Sequence, residues 1–160
     1  MILDFEGQSP IRLAQNKKLC YSGDDLLQIE NIAGVYYFAR HFGDKFWPFY
    51  IGETKTLLSR LKSHLDTRRI ADILRGMPVP GAQPISSGSR WFHYAYFKAR
   101  KKQDAKKCCQ VAQKFMIQEA LAEELPLLNS KLTVIRTHSL VFSGADLRGG
   151  IFREQNTIAL

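Results

Sequence analysis

Along the chain the spacing of apolar positions switches from strand-like to helical and back again. Residues 32–39 (Ile-Ala-Gly-Val-Tyr-Tyr-Phe-Ala) are rich in β-branched and aromatic side chains, which suit a pleated, half-buried surface, and they predict a strand. His41 to Lys45 supplies a turn. Residues 46–51 then return antiparallel, with Pro48 marking a bulge or a sheet edge, because proline has no N–H to give a ladder. Leu57, Leu58, Leu61 and Leu65 recur at helical spacing and predict a helix over about 56–68, with a second short one over about 69–75. Between 76 and 88, Pro78, Pro80, Gly81, Pro84 and Gly88 leave only a long surface loop. Residues 90–98 (Arg-Trp-Phe-His-Tyr-Ala-Tyr-Phe-Lys) carry the strongest strand signal, and a helix over about 104–124 follows until Pro126 stops it.

On that last helix Cys108, Val111, Ala112, Phe115 and Ala122 share one face at 3.6-residue spacing, with Glu119 near its middle. A carboxylate there is expected to be partly desolvated, which is costly without compensation. It then serves either in a structural ion pair or as a ligand for a hard metal.

The ends say less. Ser22-Gly23-Asp24-Asp25 is a turn or helix start before Leu26-Leu27, within a lead-in of mixed composition that packs on the domain. Beyond Pro126, Leu132–Ile135 reads as a strand, Leu140-Val141-Phe142 as an apolar stretch, and the last dozen residues as poorly ordered. Together these elements predict an α+β fold: a small, mainly antiparallel three-stranded sheet (about 32–39, 46–51 and 90–98) flanked by helices (about 56–68, 69–75 and 104–124). Residues 1–160 are expected to form a single domain, with 1–31 and 130–160 as extensions of a core at 32–129.

Composition narrows the class. A chain of 160 residues can bury a core without disulfide or metal staples. Three cysteines, an odd number with no CxxC pair and no zinc-like Cys/His spacing, read as reduced thiols, so a cytoplasmic location is expected. The sequence has no apolar run of membrane-spanning length, and Met1 to Glu6 lacks the basic and apolar regions of a secretory signal, so no membrane partner is expected. Lys plus Arg exceed Asp plus Glu by 23 − 15 = +8, which favours a polyanionic partner such as nucleic acid. That surplus carries weight only beside a site for phosphate chemistry.

Candidates for such a site lie in the hairpin and the helix after it. Arg60 and His64 are one helical turn apart, beside the leucine stripe. Taken alone they are an exposed arginine and a core-edge histidine, or else a cation and an imidazole directed at the sheet end that holds Tyr50 and Gly52. Tyr36 and Tyr50 stand in the two strands of the hairpin, and strand alternation turns Tyr37 away from Tyr36. A strand tyrosine taken singly is packing.

Order and spacing change this reading. Gly34-Val35-Tyr36, Tyr50-Ile51-Gly52, Arg60 ten residues after Tyr50, His64 one turn on, then Glu119 and Asn129 beyond Pro126 follow one another in a sequence that resembles the GIY-YIG nuclease family over about residues 32–129. The chain departs from that pattern in Val35, where the namesake has isoleucine, in the aromatic run Phe42, Phe46, Trp47 and Phe49, and in the 76–88 loop.

The resemblance implies a GIY-YIG-like fold and a metal-dependent endonuclease that hydrolyses DNA phosphodiesters. By that likeness Glu119 is the sole protein ligand of Mg2+ or Mn2+, ions that keep several waters and take few carboxylates. Tyr36 is the general base or the group that positions the attacking water. A phenol is a poor base at neutral pH, so the first role needs a cation to lower its proton affinity. Arg60 grips the phosphate, Tyr50 hydrogen-bonds water or phosphate, His64 assists proton transfer, and Asn129 fastens the helix end.

Arg68, Arg69, Lys98, Arg100, Lys101, Lys102, Lys106 and Lys107 are candidates to hold the DNA backbone, or are solvated charges. Trp91, His93 and Tyr94 either stack on bases or belong to the core. Targeting by a partner protein fits the lack of an evident second DNA-binding domain. The competing readings are a catalytically silent nucleic-acid-binding module on the same fold, and a basic α+β scaffold in which the motifs coincide by chance.

Overall fold

Nine- and ten-residue strands rich in aromatic and β-branched side chains make the centre of the molecule. The computed structural model describes residues 2–80 and 87–129, together with the backbone of 137–141 and 155–159. Strands β1 (Phe5–Gly7), β2 (Ile11–Gln15) and β3 (Lys18–Leu19) precede helix α1 (Gly23–Leu27). The hairpin β4 (Gly34–Phe42) and β5 (Lys45–Thr54) follows, then α2 (Leu57–Asp66), α3 (Arg68–Leu74), β6 (Ser89–Phe97) and α4 (Ala105–Ala122). A separate antiparallel pair joins β7 (Thr137–Val141) to β8 (Gln155–Ala159).

The main sheet has six strands, in the order β3-β2-β6-β4-β5 with β1 also on β6, and its pairs are antiparallel. The three expected strands form its core, but the sheet is larger than three. Residues 5–19 are not a mere lead-in: Ile11 and Leu13 alternate inward against β6 and enlarge the core. Short strands of this kind carry too little periodicity to stand out in the sequence.

Ser22 caps α1 through a reciprocal capping box with Asp25, as the Ser-Gly-Asp-Asp run suggested. Gly43 supplies the positive φ (60°) that a two-residue hairpin loop demands at its first position. Pro48 marks both an edge and a bulge: β5 is the outer strand, and its register against β4 slips between Phe38 and Ala39, where Pro48 follows directly. The expected strand at 132–135 lies outside the described residues, as do residues 81–86 of the 76–88 loop. The last dozen residues, expected to be poorly ordered, include β8.

Strand alternation divides the core into two layers. Tyr36, Phe38, Phe92, Tyr94 and Tyr96 project to one face, where Leu57 and Leu61 of α2 and Ile70 and Leu74 of α3 cover them. Val35, Tyr37, Ile51 and Phe97 project to the other, against Cys108, Cys109 and Ile117 of α4. Each fully buried side chain of this size stabilises the fold by roughly 1.5–3 kcal/mol relative to exposure. Among the described residues no helix is long and apolar enough to cross a membrane.

The face of α4 that is covered differs from the expected one. Cys108, Cys109, Ile117 and Ala120 are buried, with Ala112 and Met116 packed beside them, whereas Val111 (56% exposed), Phe115 (61% exposed) and Ala122 face outward. Two apolar stripes run along this helix. Cys108 and Ala112 of the expected stripe are covered, but Cys109, Ile117 and Ala120 complete that face, and Val111, Phe115 and Ala122 do not.

Candidate functional site

Tyr36 reaches its position because Gly52 lies opposite it on β5. A Cβ at Gly52 would sit 2.2 Å from Cζ and 2.3 Å from the hydroxyl oxygen of Tyr36, so the phenol lies flat over bare backbone. The ring is almost fully buried and packs edge-on to Phe38, with Phe92 and Tyr50 at centroid distances of 5.5 and 6.4 Å. Its hydroxyl lies 2.7 Å from Nε2 of His64, one turn beyond Arg60 on α2. Leu57 and Leu61, both fully buried, fix the rotation of α2 that presents His64 to the sheet. His64 also packs edge-on to Phe38 and Tyr50.

The electrostatics of this cluster separate two of the roles expected for Tyr36. Burial, reinforced by the neighbouring Tyr50 phenol, raises the proton affinity of Tyr36 well above that of a free phenol, while the Arg60 guanidinium works against this without reversing it. The lowering that a phenolate base would require is therefore absent, and Tyr36 stays protonated at neutral pH. Burial first, and then the nearby Arg60 charge, lower the His64 pKa to about 4, so the imidazole is neutral. In the tautomer with its proton on Nδ1, His64 accepts the Tyr36 O–H at Nε2; in the other, Nε2–H donates to the phenol oxygen. Such a phenol can pass its proton along the hydrogen bond but cannot serve as a phenolate base. Arg60 itself is exposed and can meet an arriving anion.

Tyr36, Tyr50, Arg60 and His64 thus come together on the α2 side of the sheet. Glu119 does not join them. It is exposed on α4 and borders a shallow groove with Tyr37, Pro48, Ile51, Phe115 and Met116, on the opposite sheet face. The expected partial desolvation of Glu119 is corrected for the same reason as the helix face: the carboxylate shares the outward stripe of Val111 and Phe115. Glu123, exposed one position past α4, lines the same groove, and accessible carboxylates of this kind can hold a hydrated Mg2+ or Mn2+. The placement of Glu119 on the opposite sheet face does not fit one ion shared with the Tyr36 cluster. Among the described residues no three His, Cys, Asp or Glu side chains gather as a metal cluster.

Asn129 fastens the chain after α4, as expected, but to the sheet: its amide accepts from the Ile51 N–H (3.0 Å) and donates to the Ile51 carbonyl (2.6 Å). The adjacent Leu128 N–H binds the Phe49 carbonyl at 2.7 Å, so residues 128–129 satisfy the outer edge of β5 beside Tyr50. Two features went unnoticed in the sequence. Gly52 is the floor on which Tyr36 rests, and Glu53, half-buried after it, acts electrostatically on both Tyr36 and Cys109. Gly52 stands opposite Tyr36 only because the bulge at Phe49 shifts the hairpin by one residue; continued unbroken from the Phe42–Lys45 pair, the register would set Ile51 there.

Several basic candidates have partners of their own. Lys98 pairs with Glu6, Arg100 with Asp4 at 3.4 Å, and Arg68 with Asp72 at 3.5 Å, while Arg69 donates to the Leu128 carbonyl. Exposed pairs of this kind contribute little and exchange readily for a phosphate. Lys101, Lys102, Lys106 and Lys107 are exposed. Tyr94 is core, on the Tyr36 side, whereas Trp91 and His93 are half-buried on the other. A search of the chain against protein-family models, curated proteins and solved structures finds no match.

Proposed function

We propose that this chain is an endonuclease that hydrolyses DNA phosphodiesters in the presence of Mg2+ or Mn2+, with its chemistry at Tyr36, His64, Arg60 and Tyr50. The observation that carries the reading is the 2.7 Å contact between a buried phenol and a neutral imidazole, one helical turn from an exposed guanidinium. The order of the matching motifs and the +8 charge support it independently.

In this scheme the guanidinium of Arg60 donates to two non-bridging phosphate oxygens, a geometry that arginine offers without losing its charge. The attacking water gives a proton to the Tyr36 oxygen as Tyr36 passes its own to Nε2 of His64. The nascent hydroxide attacks phosphorus in line with the leaving oxygen, whose bond to phosphorus breaks and which takes a proton from solvent. The substrate anion also assists. By offsetting the Arg60 charge, it makes His64 a better proton acceptor than in the free protein. Tyr50 stands beside Tyr36 to hydrogen-bond the water or the phosphate.

The order of the motifs is what supports a requirement for Mg2+ or Mn2+, and Glu119 is the carboxylate that the resemblance assigns to the ion. Supercoiled plasmid incubated with Mg2+ or Mn2+, with and without EDTA, should be nicked only when metal is free. Glu119→Ala should abolish nicking if that carboxylate holds the ion in the DNA complex. The absence of nicking by the intact chain with either ion would refute the proposal. A second reading, a catalytically silent DNA-binding module, is favoured by the separation of Glu119 from Tyr36. It predicts binding with no cleavage under any metal.

A further inference from the structure

The sheet face opposite Tyr36 carries a band of aromatic side chains that starts at Tyr37, beside α4, and runs on past the part that helix covers. Tyr37 of β4 stacks on His93 of β6, with ring centroids 4.5 Å apart and planes within 5°. Phe46 of β5 stands edge-on to His93 at 4.7 Å and stacks on His41 of β4 at 4.4 Å. Trp91 completes the band, edge-on to His41 and Phe46, and the exposed Arg12 of β2 places its guanidinium over the indole at 5.6 Å. Rings from β4, β5 and β6 thus touch in one tract, closed at its β2 side by a cation. Phe46 is 43% exposed, and the other four rings are half-buried.

Burial alone does not account for this composition. The aromatic core under α2 and α3 is fully buried and the α4-covered part of this face is built largely from Val35, Ile51, Cys109 and Ile117, whereas the rings of this tract are left part-exposed. Here the tract holds two histidines and an arginine-capped tryptophan, groups that have π-faces and tolerate water. Sheet-borne aromatics of this kind stack two or three unpaired bases, and such stacking is indifferent to sequence because every base has a π-face. From Tyr37 to His41 the strand advances about 13 Å, enough for such a run. Arg12 at one side, and the +8 charge of the chain, complement the phosphates between the bases.

We propose that this face binds two or three unpaired nucleotides of a single-stranded DNA segment by stacking on the Tyr37–His93–Phe46–Trp91 tract. The inference rests on the nuclease reading for its polymer and deepens it: the preferred substrate carries a single-stranded stretch, such as a flap, gap or branch, beside the bond to be cut.

The test is fluorescence anisotropy of the full chain with labelled thymidine 20-mer and with a duplex of equal length, in EDTA so that no cleavage intervenes. The single strand should bind more tightly. Phe46→Ala should weaken it by roughly five- to a hundredfold, the range for losing one stacked base, with the duplex affinity and the salt dependence unchanged. Phe46→Trp should restore it. Circular dichroism of Phe46→Ala guards against a folding defect, which the duplex control also reads. Equal binding of single strand by the intact chain and by Phe46→Ala would overturn the proposal, as would a change from dimer to monomer in sedimentation with single-strand affinity unaltered, because the face then joins two copies of the chain. Plasmid nicking without single-strand preference overturns this inference alone. Phe46-dependent single-strand binding with no nicking in any metal supports it and overturns the nuclease reading alone.

Discussion

Replacing Gly52 with alanine is the sharpest structural test of how the Tyr36 site is held. The added Cβ would lie 2.2 Å from Cζ and 2.3 Å from the hydroxyl oxygen of Tyr36, against an ordinary carbon contact of about 3.5–4.0 Å. The phenol must therefore move by more than about 1 Å to restore that contact. It has little room, because Phe38, Phe92, Tyr50 and His64 enclose the ring. Overpacking a core in this way costs roughly 1–3 kcal/mol, and the loss of the Tyr36–His64 hydrogen bond adds about 0.5–1.5 kcal/mol. Gly52→Ala should therefore lose on the order of 2–4 kcal/mol in urea unfolding, with an unchanged m-value. The cause can be isolated by a double-mutant cycle. With Tyr36→Ala already in place the clash is gone, and Gly52→Ala should then cost under about 1 kcal/mol, giving a coupling of roughly 2 kcal/mol. Equal cost in both backgrounds would refute the reasoning, since the penalty would then come from the strand itself rather than from the phenol lying over it.

Acidification should weaken the fold through two histidines. His64 and His93 are held near pKa 4 by burial, against 6.5 for a free imidazole, so between about pH 6.5 and 4 the unfolded chain takes up protons that the folded chain refuses. Stability is therefore full above pH 6.5 and falls as the pH drops through that window. Each shift has a ceiling of about 3 kcal/mol, which solvent screening of these part-exposed rings reduces to roughly 1–2 kcal/mol each. Urea midpoints at pH 7 and pH 4.5 measure it, and His64→Gln should flatten the difference. Arg60→Ala should leave stability within about 0.5 kcal/mol, as an exposed residue, yet raise the His64 pKa read by NMR, because the guanidinium is one of its two depressing causes. Asn129→Ala removes both side-chain bonds to Ile51 and should cost about 1–3 kcal/mol, seen as a lower urea midpoint.

How far the sequence revealed this molecule depends on how strongly each segment commits to one period. The β4–β5 hairpin, α2 and β6 were legible because aromatic and β-branched runs, or leucines at 57, 58, 61 and 65, repeat long enough to admit only one period. The early strands were not, since three, five and two residues hold at most one alternation, and only pairing with β6 makes them strands. On α4 two apolar stripes competed. Helical spacing from Cys108 and Ala112 admits either Val111 and Phe115 or Cys109, Met116 and Ala120 as neighbours, and packing on the sheet selects the second set.

The site divides along the same line. Tyr36, Tyr50, Arg60 and His64 are local to one hairpin and the helix after it; helical spacing pairs the last two, and the bulge that Pro48 signalled is what turns Tyr50 to the face of Tyr36. The position of Glu119 depends on the rotation of a helix more than fifty residues away, and the stripe that fixes this rotation was the one misread. The proton affinity of Tyr36 was also beyond the sequence, because it follows from burial under α2, which only the packed structure defines.

The central claim is that the Tyr36 cluster cuts DNA, and Tyr36→Phe meets it most directly, because that variant keeps the buried ring and removes only the hydroxyl that faces His64. Supercoiled plasmid should be nicked by the intact chain in Mn2+ and at least about a hundredfold more slowly by the phenylalanine variant, the scale of losing a positioned proton-transfer group. Nicking at equal rates by the two proteins, at matched folded concentration, would contradict the account.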